Sequence, residues 1–104
     1  MFMDTLDQVA DPVSRSSPPP FTEKQGQYLA FIHTYTLLNR QPPAEADFQQ
    51  YFGVTPPTVH QMIIELERRG LITRVPRQPR TIKLLLAAED LPPLQPIKTS
   101  VAKY

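Results

Sequence analysis

The sequence predicts a mainly α domain of three helices closed by a small two-stranded β-hairpin. Three observations carry that expectation. Apolar side chains recur at helical spacing from Tyr28 to Leu38. Two shorter helical stretches follow, parted only by a tight turn at Gly53. Two runs rich in β-branched residues, 71–75 and 80–85, then flank the tetrapeptide Pro76-Arg77-Gln78-Pro79.

Each element has its own local cause. Thr22 and Gln25 have the spacing of a capping box, in which each side chain satisfies a backbone amide of a helix's first turn. Tyr28, Phe31, Ile32, Tyr35 and Leu38 then form one apolar stripe, and the helix ends near Asn39-Arg40, ahead of Pro42-Pro43. A second helix fits 45–52, with Phe48, Tyr51 and Phe52 on its apolar side. The third opens at Thr55, a good N-cap, with Pro56 where a missing N–H costs nothing. Val59, Met62, Ile63 and Leu66 make its buried stripe, and Gly70 stops it. The two β runs and their proline-bounded tip read as a hairpin with a rigid, basic end.

Composition sets the limits. With 104 residues there is room for one compact domain and tails. No cysteine is present, which excludes disulfides, a cysteine zinc site and a thiol nucleophile. Thirteen prolines against three glycines stiffen the chain in places. Four of those prolines lie in residues 1–20, with three acids and one base, so this segment is expected to be an extended or disordered acidic tail. Residues 87–104, with Pro92, Pro93 and Pro96, read as a second irregular tail. The domain between them, 21–86, holds eight bases and five acids. Six of the bases fall between Arg68 and Lys83 with no acid among them. No run approaches the roughly 18–20 apolar residues of a membrane span, and no basic-then-apolar leader opens the chain. The expectation is a cytoplasmic protein without membrane contact.

The order helix, helix, tight turn, helix, basic hairpin is that of a winged helix-turn-helix. Pro42-Pro43-Ala44-Glu45 opens the second helix and Gly53 closes it. Leu66-Glu67-Arg68-Arg69-Gly70-Leu71-Ile72 joins the third helix to the wing, and Arg80-Thr81-Ile82-Lys83-Leu84-Leu85 is the return strand. Together these resemble the N-terminal DNA-binding domain of the LexA repressor family and, more distantly, MarR-type winged helices. The likeness covers about residues 21–86. It departs at Ala44, where the family usually has a Thr or Ser cap, and in a turn before the third helix one residue shorter. The family continues into a peptidase domain with a Ser–Lys dyad. Here the serines are Ser14, Ser16, Ser17 and Ser100, all in the tails, so self-cleavage and dimerisation through that domain are not expected of this chain.

In this architecture the third helix enters the major groove and its N-terminal residues meet base edges. By resemblance, Pro57, Thr58, His60 and Gln61, with Thr55 at the cap, occupy the base-reading positions. Gln61 can pair with adenine, Thr58 can meet a thymine methyl, and His60 can donate to guanine or phosphate. The amides of Thr58 and Val59 are further candidates for a phosphate. Outward Thr, His and Gln on an isolated helix are most often only solvated; their place on the third helix favours DNA. Arg77 and Arg80 flank the wing tip, where phosphate or minor-groove contact sets affinity and register. Protection of an exposed strand edge is the other reading of those bases. Arg68 is balanced between DNA contact and the favourable end of the helix dipole.

The expected function is a double-stranded DNA-binding transcription regulator, a repressor by promoter occlusion, associated with the nucleoid when bound. A homodimer on a palindrome, and a protein partner held by the proline-rich tails, are the candidate associations. The alternative is a winged helix used for protein–protein contact or architecture. An enzyme is disfavoured. Glu45, Asp47, Glu65 and Glu67 lack catalytic partners at clear spacing. His33 and His60 do not make a metal site, and no phosphate-binding glycine loop exists. No cofactor is expected.

Overall fold

The computed structural model describes residues 20–96. The expected N-terminal tail, the last eight residues and all four serines lie outside these, apart from Pro20. Three helices come first: α1 (Glu23–Asn39), α2 (Glu45–Phe52) and α3 (Pro56–Arg68). A minimal antiparallel pair follows, β1 (Ile72–Thr73) with β2 (Lys83–Leu84), then a 3₁₀ turn at Ala88–Asp90.

The expected capping box forms at α1. The Thr22 hydroxyl accepts the Gln25 N–H at 3.1 Å, and the Gln25 side-chain oxygen accepts the Thr22 N–H at 2.9 Å. Arg40 closes the helix in the left-handed region, φ 60°, its N–H bonded to Thr36 O. The apolar stripe is not the one expected at its far end. Leu38 is 76% exposed and Leu29 is fully buried. The first half of α1 is enclosed on most sides, whereas 37–40 stand clear in solvent, so helical periodicity stops predicting burial there.

The core is aromatic where α1 meets α2. Tyr28 stacks on Phe48 and Phe52 with centroids 5.4 and 4.3 Å away. Phe31 packs on Phe48 and Tyr51 at 5.0 and 4.9 Å. Val59, Ile63 and Leu66 of α3 complete the core with Leu71, Ile72 and Ile82 from the hairpin.

The ladder is shorter than the two β runs. Ile72 pairs with Leu84 and Thr73 with Lys83, and one further bond joins Leu85 N–H to Leu71 O. Pairing stops short of the tip because the Val75 N–H goes to the Thr81 side chain and Arg80 holds a left-handed φ of 62°. The Thr81 side chain organises that loop instead. Its hydroxyl accepts the Val75 N–H at 2.9 Å and lies 3.0 Å from Gln78 O.

Residues 91–96 are irregular in backbone, as expected, but they are docked onto the helices. Gln27 reads this segment from both sides of its amide: Nε2 donates to Pro93 O at 3.0 Å and Oε1 accepts the Gln95 N–H at 2.7 Å. The Tyr51 hydroxyl donates to Gln95 O at 2.8 Å, and Leu91 and Leu94 pack on the core. Gly26 lies under this contact, since a Cβ there would come within 2.9 Å of the Phe21 ring and 3.1 Å of Pro92. A chain ended after Asp90 is therefore expected to lose about 1–2 kcal/mol, the half-burial of two leucines less the modest ordering of a proline-stiffened segment. Thermal melting checks this, and an unchanged midpoint would mean that the segment contributes nothing.

Candidate nucleic-acid interface

The third helix divides cleanly. Val59, Ile63 and Leu66 face inward, while Thr55, Pro56, Pro57, Thr58, His60, Gln61, Ile64 and Arg68 are exposed. Helix α2 supports it from one side across the turn Gly53–Thr55. Gly53 sits at φ 65°, a conformation suited to glycine, with its N–H bonded to Gln49 O.

The amino end of α3 has an unusual chemistry. Thr55 takes the N-cap position but its side chain caps no amide. Its hydroxyl pairs with that of Thr58 at 2.9 Å. Pro56 and Pro57 have no N–H, and the Val59 N–H is taken by Thr55 O. Among the described residues, only Thr58 keeps a backbone donor free in this turn, so Val59 drops out as a phosphate-holding amide. Prolines and threonine methyls make the leading surface correspondingly apolar.

His60 is half-exposed and its Nδ1 lies 3.3 Å from Glu45 Oε2, at the start of α2. This tether aims the imidazole across the helix pair. Gln61 is exposed, and no side-chain bond holds it among the described residues. Ile64, which sequence periodicity leaves off the buried stripe, is exposed one turn beyond His60 and does not pack beneath α1.

Most of the basic run is paired. Arg68 grips Glu65 through Nε and Nη2, at 3.1 and 2.7 Å, and Arg69 takes the same carboxylate at 2.9 Å. Bonds from Arg68 first, then Arg69, hold the Glu65 carboxyl below its ordinary range. Arg68 thereby cancels an acid that shares its face with Gln61. Arg74 pairs with Glu67 at 3.1 Å. Among the described residues, Arg77 and Lys83 are the members of the run without an ion pair. Lys83 was not singled out by spacing, though alternation with buried Ile82 turns it outward.

Arg80 is held by contacts that its spacing does not reveal. Its Nη1 donates to the Tyr35 hydroxyl at 3.0 Å, to Asp47 Oδ2 at 3.1 Å and to Pro42 O at 3.3 Å. Its guanidinium lies 5.9 Å from the centre of the Tyr35 ring. The bond to Tyr35, with Asp47 beyond it, pushes the guanidinium further toward its charged form. The same Asp47 oxygen accepts the Ala44 N–H at 2.8 Å. That bond is the half of a capping box that an N-cap without a side-chain acceptor still allows. Arg77, by contrast, is exposed at the tip with φ 67°. Wing tip and α2 bound a shallow cleft of about 270 Å³ lined by Arg74, Arg77 and Arg80.

Two helices joined by a three-residue turn, a preceding helix that carries the core and a short hairpin beside them define a winged helix-turn-helix. Residues 19–81 match the model of the LexA DNA binding domain. The chain belongs to that family. It is 37% identical over 81 residues to the LexA repressor of Thermosipho melanesiensis, covering 78% of this chain and 40% of that protein. It is 35% identical over 70 residues to the LexA repressor of Thermosipho africanus, covering 67% and 35%. The chain thus spans well under half the length of these relatives. No helix among the described residues is long and apolar enough to cross a membrane.

Proposed function

We propose that this domain binds duplex DNA with sequence preference and represses transcription by occluding a promoter. The exposed polar side of α3, set opposite Val59, Ile63 and Leu66, is the observation that carries this reading. Pro57, Thr58, His60 and Gln61 meet base edges in the major groove. Arg77 and Lys83 reach phosphates, Arg68 keeps Glu65 from repelling them, and Thr55 fixes the entry to the helix. The relatives are named as repressors, which supports the direction of regulation. The domain supplies binding and no catalysis, and the protein acts in the cytoplasm. A two-fold pair of domains on an inverted repeat gives the length of site that one domain lacks.

Selection from a randomised duplex library, followed by a salt titration on the enriched sequence, tests the proposal. An enriched motif whose affinity falls with salt is expected; binding without enrichment would leave only an architectural role. In the same assay Arg77→Ala is expected to weaken binding to every sequence alike and lower the salt slope by about 1. A change confined to one sequence would remove Arg77 from the backbone contacts.

A further inference from the structure

We propose that Arg80 is a positioning residue that latches the wing to α2, and that it does not itself bind phosphate. The inference rests on the DNA-binding reading above. Three acceptors converge on one guanidinium nitrogen, and they come from three places: Tyr35 on α1, Pro42 in the loop and Asp47 on α2. Arg80 stands at the start of the wing's return path and holds a left-handed backbone, φ 62°. Non-glycine residues adopt that conformation at a cost, and surrounding contacts must hold them there. The Asp47 oxygen that receives Arg80 also receives the Ala44 N–H, so one atom ties the start of α2 to the wing. Arg77, three residues earlier, is thereby carried on a loop whose return end is fixed to the reading helices' own support. The latch sets where the wing tip stands relative to α3.

Charge and geometry make opposite predictions for two variants. A lysine keeps the charge, but its ammonium ends one bond short of Nη1 and has no planar group to lie against the Tyr35 ring. Were Arg80 a phosphate contact, Arg80→Lys would bind much like the parent. As a latch, it is expected to lose affinity on the order of tenfold, within the range for residues coupled in one network, with the salt slope unchanged. Asp47→Asn removes a negative charge, which simple electrostatics would reward with tighter binding. The latch predicts weaker binding, because asparagine can still accept from Ala44 N–H but no longer holds a cation. The double variant Arg80→Lys/Asp47→Asn should be no weaker than the weaker single one.

The measurement is binding of the full chain to its selected duplex across a salt series. Amide exchange of the free protein is read alongside it. Faster exchange at Val75 and Gln78 in Arg80→Lys, with α1 and α3 amides unchanged, is the result expected. Parental affinity in Arg80→Lys, a salt slope reduced by about 1, tighter binding by Asp47→Asn, or exchange raised evenly through the domain would each overturn the latch. Failure of the parent to bind any duplex would instead remove the DNA-binding reading on which it stands.

Discussion

Replacing Phe48 by alanine is expected to abolish the stable fold, or to lower its melting temperature by more than about 12 °C. Phe48 has no solvent exposure and is the one residue of α2 buried to that degree. Its ring contacts Tyr28 and Phe31 at centroid distances of 5.4 and 5.0 Å. Removing a buried phenyl ring costs about 3–5 kcal/mol, transfer and cavity terms together. A domain this small has a total stability near the bottom of the usual range, about 5 kcal/mol. At about 4–8 °C per kcal/mol, the midpoint shift follows. Helix α2 has eight residues, too few to persist without its anchor. Loss of α2 would also remove Asp47 and Glu45 from Arg80 and His60. A melting curve checks the prediction, with Phe48→Leu as the milder control. A midpoint within a few degrees of the parent would show that the aromatic stack is not what holds α2.

Gln61→Ala is expected to leave the fold intact and to flatten sequence preference. The side chain is exposed on α3 and packs on none of the core residues. Its removal should therefore cost little stability. Glutamine is among the few side chains that can pair with adenine through two hydrogen bonds, and such a pair discriminates by about 1–3 kcal/mol. The ratio of affinities for the selected duplex and its single-site variant at that position should fall by about 5- to 150-fold at 1.4 kcal/mol per decade. Affinity for unrelated duplex should hardly change. Competition binding with the two duplexes measures this ratio. An unchanged ratio would remove Gln61 from the base-reading set and turn attention to Thr58 and His60.

Local order was legible in the sequence and spatial convergence was not. The Thr22–Gln25 box, the limits of α2 and the proline-led start of α3 each depend on neighbours within four residues, and the structure has them where spacing predicts. Periodicity puts Leu38 on the buried stripe, though it is exposed, because periodicity says which side of a helix is apolar and not where its neighbours end. β-branched composition carries the strands too far because it does not record that the Thr81 side chain takes the Val75 N–H. The docking of Pro93 and Gln95 escapes the sequence because the side chains that hold them, Gln27 and Tyr51, are 44 or more positions away. Arg80 resembles Arg77 in every linear respect; only the fold brings Tyr35, Pro42 and Asp47 to one of them. Likewise the acid-free run from Arg68 to Lys83 is acid-free in one dimension. Glu65, Glu67 and Asp47 meet it in three.

That pairing bears on how the domain would search a chromosome. Loose attachment to any duplex grows with the number of phosphates a protein neutralises, and it is this attachment that lets a protein slide. Three carboxylates, Glu65, Glu67 and Asp47, stand against four of the run's six bases, so only half of its charge is left for that purpose. Such a domain would make short visits to unrelated DNA and travel mainly through solution. It would be sequestered little by bulk genome, and a second linked domain would shorten its search more than added charge.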